Sequence, residues 1–417
     1  MGLFDYLLIY SLGVIWIVIF INIILVIGGY IYYIKINDKK MKEKLNYYPF
    51  ITVMVPSHNE GVVIRRTAES LLRLDYPKDR YEVIIINDNS SDNSAEILKE
   101  VKEKYKGRNF TVINTDSVTG GKGKSNALNI AFSISKGEYL AIYDADNTPE
   151  KKALKYLVQT IEGDPKLGAV IGKFRCRNKN VNLLTAFINI ETLSFQWMSQ
   201  AGRWQLFNLC TIPGTNFIIR RNLIEEMGGW DTKAITEDTE ISFRLYRMGY
   251  KIKFMPLAVT WEQEPQTLKV WFRQRSRWAK GNIYVVIKNL KYIFKQNSGI
   301  IKFDLIYYLT IYIFFLSANI ISDSIFLLGL FGLIKVHVEG YVLAIWVMAL
   351  SVFVLSLLVS IATEKGELTF KNFIVILLMY FTYCKLWGLV AAYGFYNFIK
   401  DTIFKKEVKW YKTERFE

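Results

Sequence analysis

Tyr139-Leu140-Ala141-Ile142-Tyr143-Asp144-Ala145-Asp146 is a short apolar run closed at once by two carboxylates one residue apart. An apolar run of that length, bounded by polar residues, reads as a strand buried on both faces. Earlier runs at residues 50–56 (FITVMVP), 81–86 (YEVIII) and 110–113 repeat the signal. Helical patterns fill the intervals at 61–74, 94–106 and 125–135. This alternation, over residues 48 to about 265, predicts a mostly parallel sheet with helices on both faces. Ligands of such sheets bind beyond the carboxyl ends of the strands. His58-Asn59-Glu60, Asp88 and the Asp144/Asp146 pair fall at those ends.

Outward from this body the chain turns apolar. Residues 6–34 carry no charge and are long enough to cross a bilayer. They are too long for a signal peptide and lack its basic start. Lys35, Lys39, Lys40, Lys42 and Lys44 follow, which predicts that the chain emerges on the cytoplasmic side. Beyond the body, a basic and aromatic stretch at 268–290 reads as a helix lying along the membrane surface. Spans are expected at 305–322, 340–363 and 372–399, with 324–334 as a short fourth. A chain that leaves and returns to the cytoplasm crosses an even number of times, which favours four over three. The expected division is a transmembrane helix at 1–36, a cytoplasmic domain at 48–266, interfacial helices at 267–300, three or four transmembrane helices at 301–399 and a basic cytoplasmic tail at 400–417. Lys385, inside the last span, is expected to snorkel, form an ion pair or line a pore.

Composition narrows the partners. The 417 residues carry a net charge of +15 and are 51% hydrophobic. The basic residues crowd beside the apolar segments, and no zinc-finger or RNA-binding signature accompanies them, so nucleic acid is excluded as a partner. Cys176, Cys210 and Cys384 are scattered, and His58 and His337 are the only histidines, which excludes histidine-rich metal chemistry.

Three groups of residues carry chemistry. Asp144 and Asp146, at i and i+2 of an extended segment, can address one hard divalent cation together with substrate phosphates. Thr236-Glu237-Asp238 offers a carboxylate as general base, or else a helix N-cap. Gln274-Arg275-Ser276-Arg277-Trp278 offers a guanidinium for a diphosphate and an indole face for a sugar, or else anchors for an interfacial helix.

In this order, ahead of a cluster of spans, D-x-D, T-E-D and Q-x-x-R-W resemble the processive family 2 glycosyltransferases. These include cellulose and poly-N-acetylglucosamine synthases and, more distantly, hyaluronan and chitin synthases. The likeness runs from about residue 50 to 283. It implies an α/β GT-A (Rossmann-like) cytoplasmic domain inserted between transmembrane helices of an integral, multi-pass plasma-membrane protein. It implies an inverting, single-displacement reaction with Mg²⁺ or Mn²⁺. By the same resemblance Asn59, Glu60, Asp88, Lys124 and Asp144 would bind the nucleotide, and Asp146 with Asp144 would hold the metal. Asp238 would be the base, Gln274 and Arg277 would hold the diphosphate, and Trp278, Glu237, Gly214 and Thr215 would face the acceptor.

The donor expected from the resemblance is UDP-glucose or UDP-N-acetylglucosamine. The product would be a β-linked polysaccharide, exported through the spans with possible accessory subunits: cellulose, a mixed-linkage β-glucan or poly-N-acetylglucosamine. One-sugar transfer to a lipid and a non-catalytic channel or binding subunit are the alternatives. The family's D-D-G-S reads Asn87-Asp88-Asn89-Ser90 here, and its acceptor segment reads Ile212-Pro213-Gly214-Thr215-Asn216. No F-x-V-T gating sequence and no C-terminal regulatory domain are expected. The tail Trp410-Tyr411-Lys412-Thr413-Glu414-Arg415 resembles the W-G-T-R-type loop of hyaluronan and chitin synthases, which implies a cover over the loaded nucleotide site.

Overall fold

Strands from the continuous apolar runs form one half of an eight-stranded sheet. The computed structural model describes residues 2–38, 45–294, 301–337, 342–404 and 414–416. Its elements are α1 (Leu3–Asn37), β1 (Ile51–Ser57), α2 (Ile64–Leu72), β2 (Tyr81–Asp88), α3 (Ser94–Lys104), β3 (Phe110–Thr115), α4 (Lys124–Ile134) and β4 (Tyr139–Ile142). Next come β5 (Thr148–Pro149), α5 (Ala153–Glu162), β6 (Leu167–Cys176) and α6 (Leu183–Ser194). A π-helical segment, Phe195–Gly202, carries α6 into α7 (Arg203–Phe207). Then follow β7 (Phe217–Arg220), α8 (Arg221–Glu226), α9 (Glu237–Arg247), β8 (Lys251–Glu262) and α10 (Leu268–Asn289).

The strand order is β3-β2-β1-β4-β7-β6-β8-β5. β1 to β4 are mutually parallel, as expected, but β7 enters antiparallel between β4 and β6. The sheet is therefore mixed rather than mostly parallel. Burial explains why the sequence does not reveal this: Phe217, Ile218 and Ile219 are as buried as β4, and an apolar run carries no mark of direction. Register sets up the site, because Ser57 pairs with Asn87 and Asp88 with Thr115, so three carboxyl ends finish level.

The rest of the chain is helical: α11 (Ile301–Leu309), a π-helical segment (Thr310–Phe315), α12 (Leu316–Leu330), α13 (Val342–Ala362), α14 (Phe370–Phe381) and α15 (Tyr383–Ile403). Among the described residues, Leu3–Asn37, Lys302–Leu330 and Ala344–Ala362 are long and apolar enough to cross a membrane, and α14 with α15 form a pair bent by 44°. Two expectations are corrected. Residues 305–322 and 324–330 belong to one helix, because the charge at Asp323 is met by Lys385 at 2.7 Å instead of ending the helix, and 331–334 lie beyond its end. Residues 372–399 are not one straight helix, because Thr382 leaves helical geometry at φ −122° and ψ −76°. Of the four loop lysines after Lys35, all lie outside the described residues, as do 295–300 of the interfacial segment and 405–413 and 417 of the tail.

The helices grip the α/β body. The Tyr32 hydroxyl of α1 donates to the Phe254 carbonyl, and at Gly29 a side chain would overlap the Trp197 carbonyl oxygen. In the turn between α13 and α14, Glu364 meets Lys173 at 2.5 Å, and Glu367 meets Arg175 at 2.9 Å and Lys179 at 2.5 Å. α15 runs along α10, with Tyr383 on Trp271, Gly394 against Ser276 and Ala279, and Asp401 paired to Lys280.

Candidate active site

The end of β2 forms one wall. Asp88 Oδ1 accepts from Thr115 Oγ1 at 2.7 Å and from the Gly121 N–H at 3.0 Å. Its Oδ2 is buried without a hydrogen-bond partner among the described residues. A buried carboxylate oxygen left so is costly unless a ligand donor completes it. Asn59 takes a left-handed φ of 54° and spends its Oδ1 on the Ser91 and Asp92 N–H groups, at 2.7 and 3.3 Å. It holds the β2–α3 loop in place, so the side-chain oxygen expected at the nucleotide is engaged in supporting the wall. Glu60 sits beside it with its N–H on Ser94 Oγ at 3.0 Å.

Beyond β4, Thr215 props the acidic hook: its Oγ1 accepts from the Asp144 N–H at 3.0 Å and donates to Asn147 Oδ1 at 2.6 Å. Lys124, the first residue of α4, joins the halves of the site. Its Nζ lies 2.7 Å from Asp144 Oδ1, 2.7 Å from the Gly214 carbonyl and 3.2 Å from Glu237 Oε1. Glu237 and Asp238 open α9, where the positive helix end favours acids. Thr236 does stand at the N-cap of α9, as the capping alternative expects, but its side chain makes no cap hydrogen bond. Burial, then the neighbouring Glu237 charge, push the Asp238 carboxyl up to about 7, against the pull of Lys124. That value suits a general base near neutral pH. Gly214, at φ 88°, leaves room for this carboxylate, because a Cβ there would stand 2.9 Å from Asp238 Oδ2.

Arg277 from α10 faces the same acids: burial lowers its affinity for the proton, and Glu237, Asp238 and Asp144 raise it. Its Nε has no partner among the described residues, which leaves a donor for a ligand anion. Gln274 and Trp278 are turned to Arg275 instead. Gln274 Oε1 accepts from Arg275 Nη1 at 2.6 Å, and the Arg275 guanidinium lies 4.1 Å from the centre of the Trp278 ring. Trp278 remains 37% exposed, so its other surface is open to an acceptor.

Sequence reading missed three residues, Glu262, Glu264 and Glu191, and gave Arg275 no role of its own. Glu262 and Glu264 end β8 in Trp261-Glu262-Gln263-Glu264-Pro265, an acidic i, i+2 pair like Asp144/Asp146 that was legible as such. The β5–β8 pairing, with Thr148 opposite Trp261, brings them beside the hook. Burial, then Glu264, Asp146 and Asp144, hold the Glu262 carboxyl well above its usual range. Glu191 of α6 and Arg275 of α10, joined at 2.6 Å, tie these two helices together. Glu191 carried no signal, because it meets Arg275 only through tertiary contact.

No cluster of three or more His, Cys, Asp or Glu able to hold a metal ion occurs among the described residues. Two carboxylates on one hook, crowded by further acids, still fit a divalent cation that takes its remaining ligands from substrate phosphate and water. The tail also reaches this point. Arg415 Nη1 lies 2.9 Å from Asp146 Oδ2 and its Nε 3.5 Å from Glu60 Oε2, and Phe416 pairs with the Gln263 side chain. Trp410 to Thr413 of the expected cover lie outside the described residues.

The geometry has counterparts. Residues 49–281 match the family model described as "Glycosyltransferase like family 2". The chain is 47% identical over 408 residues to "Probable glycosyltransferase YdaM" of Bacillus subtilis (strain 168), covering 97% of each. It is 32% identical over 297 residues to the poly-beta-1,6-N-acetyl-D-glucosamine synthase of Staphylococcus aureus (strain COL), covering 69% of this chain and 68% of that one. In fold it is similar to the mannosyltransferase PcManGT of Pyrobaculum calidifontis, solved with GDP-Man and Mn²⁺, at TM-score 0.62 and 21% identity over 93% of this chain and 99% of that one. The sheet is thus the GT-A-like fold of a glycosyltransferase, and the chain belongs to glycosyltransferase family 2.

Proposed function

We propose that this chain is a membrane-embedded polysaccharide synthase that transfers N-acetylglucosamine from its UDP-sugar, with inversion, onto a growing β-linked chain. The observation that carries this reading is the placement of Asp238, a carboxyl near 7, between Lys124, Arg277 and the Asp144/Asp146 hook. The donor choice follows the similarity to the N-acetylglucosamine polymer synthase over two thirds of the chain.

In this reading Asp238 takes the proton of the acceptor's terminal hydroxyl. The freed oxygen attacks C1 of the donor sugar, the C1–O bond to UDP breaks, and the anomeric carbon passes from α to β. A divalent cation bound at Asp146 and Asp144 would neutralise charge on the departing diphosphate. Lys124 and Arg277 hold that anion on the remaining side, while Asp88 Oδ2 takes a donor from the nucleotide. The exposed surface of Trp278 carries the acceptor sugar.

The same reading sets a membrane layout. The α13–α14 turn is held to the body by Glu364 and Glu367, and the end of α15 is held to it by Asp401. The bent α14–α15 pair therefore starts and finishes on the catalytic side, and a 44° bend does not fold it back on itself. This supports three crossings in all, α1, Lys302–Leu330 and α13, with α14–α15 lying along the membrane face. The even-number rule holds after the body, with two crossings in place of four.

The decisive experiment measures UDP release by the detergent-purified protein with Mg²⁺ or Mn²⁺, offering UDP-N-acetylglucosamine and UDP-glucose separately. Release with the first donor, a high-molecular-weight product and loss of both in Asp238→Asn are expected. A product carrying a single sugar would replace polymerisation by one-step transfer, and equal release from Asp238→Asn would remove Asp238 from the role of base.

A further inference from the structure

The Asp146 carboxylate has two claimants. Its Oδ2 already accepts the Gln263 N–H at 3.1 Å and forms an ion pair with the Arg415 guanidinium, whose Nη1 lies 2.9 Å away. Among the described residues its Oδ1 accepts from Asn147 Nδ2, at 3.5 Å. A Mg²⁺ ligand oxygen sits at about 2.0–2.1 Å from the ion, with near-octahedral demands on its surroundings. A guanidinium in contact with Oδ2 fills that approach and supplies the positive charge the cation would bring.

The arginine is not a stray surface side chain. It is 12% exposed, its Nη1 also donates to the Gln263 carbonyl at 3.0 Å, and its Nε faces Glu60. Its neighbour is fixed as well: the Phe416 N–H donates to Gln263 Oε1 at 2.9 Å, and Gln263 Nε2 donates to the Phe416 carbonyl at 2.6 Å. This two-way pairing is what an added strand would make, with the Gln263 side chain standing in for backbone. One guanidinium thus bridges Glu60, on the wall where the nucleotide base is read, and Asp146, on the hook of the cation.

We propose that residues 414–416 form an internal plug in which Arg415 occupies the divalent-cation position at Asp146, so that the cation and nucleoside diphosphate bind only in exchange for it. The plug rests on the donor-site reading given above and adds a competition that the reading does not require. Exchange keeps charge balanced: the guanidinium leaves Asp146 as the metal arrives, and Glu60 is released as the nucleotide enters. The clamp at Gln263 sets how readily the segment lets go. A site filled by its own chain binds free cation poorly, and admits it together with the diphosphate that supplies the missing ligands.

The test is Mn²⁺ binding to the full-length protein in detergent, followed by electron paramagnetic resonance of free Mn²⁺, with and without UDP. Without UDP, Arg415→Ala is expected to bind Mn²⁺ about tenfold more tightly than the unaltered protein, a change that corresponds to about 1.4 kcal/mol. Gln263→Ala, which keeps the arginine but removes the clamp, is expected to move the same way by a smaller factor. Arg415→Lys, which keeps the charge, is expected to stay close to the unaltered protein. Equal or weaker Mn²⁺ binding in both Arg415→Ala and Gln263→Ala overturns the plug. Absence of Mn²⁺ binding in the unaltered protein with saturating UDP, and in all variants, would instead overturn the donor-site reading and the plug with it.

Discussion

Replacing Lys124 by Gln removes the cation that Asp144, Glu237 and Asp238 share. A Cβ on Gly214 would lie 2.9 Å from Asp238 Oδ2 and 3.5 Å from Lys124 Nζ, so the ammonium and the base are close neighbours. Two charges at about 6 Å in an effective dielectric of about 20 interact by about 3 kcal/mol. Water entering the vacated space returns part of this, which leaves about one to two pH units. The sign is fixed by the roles. Lys124 favours the ionised carboxylate, so its loss carries the Asp238 carboxyl upward from about 7, and the base is active only when deprotonated. The acid limb of the rate profile should therefore move to higher pH by about one to two units, with activity at pH 7 reduced about tenfold or more and partly recovered near pH 9. The assay is UDP release at saturating donor from pH 5.5 to 9.5 in both proteins. An acid limb that stays in place, or moves down, would refute the coupling between Lys124 and the base.

Three more outcomes follow from the geometry. Gly214→Ala places a Cβ against Asp238 Oδ2 at a φ of 88°, so UDP release should fall at least about tenfold while circular dichroism is unchanged. Glu367→Ala strips Arg175 and Lys179 of a carboxylate only 1% exposed, which should cost about 3–5 kcal/mol and appear as a lower thermal midpoint and early proteolysis in the α13–α14 turn. Asp323→Lys or Lys385→Asp alone should lower expression in membranes, and the double swap should restore it, since the pair meets at 2.7 Å.

What the sequence discloses here depends on how far each signal reaches along the chain. The first four strands and the helices between them were legible because each is a local run of apolar residues at strand or helix spacing; Asp88, Lys124, Asp144 and Asp146 sit at their ends, and Asp238 sits at the start of α9. Direction was not legible: β7 looks like any buried strand, and only its pairing with β4 and β6 shows that it is reversed. The spans were misjudged where a charge is answered from far away, as Asp323 is by Lys385 across 62 positions. The bridging role of Arg275 was hidden for the same reason: its partner Glu191 lies 84 residues earlier. Within the site the short motifs named most of the acids, whereas Glu262 and Glu264 join them only through the pairing of β8 with β5, far along the chain from the first acidic pair.

The clamp on β6 reaches further than anchorage. Arg175, which grips Glu364 and Glu367 of the membrane turn, stands opposite Trp261 in the β6–β8 ladder, and the next pair is Cys176 with Glu262. One residue beyond Glu262 is Gln263, whose N–H holds Asp146. A helix shifting in the bilayer would thus be felt at the acidic hook after a single step from strand to strand. With the proposed membrane placement, bilayer thickness and lateral pressure would enter the frame of the acidic hook itself, and the lipid would be a mechanical part of the protein and not only its surroundings.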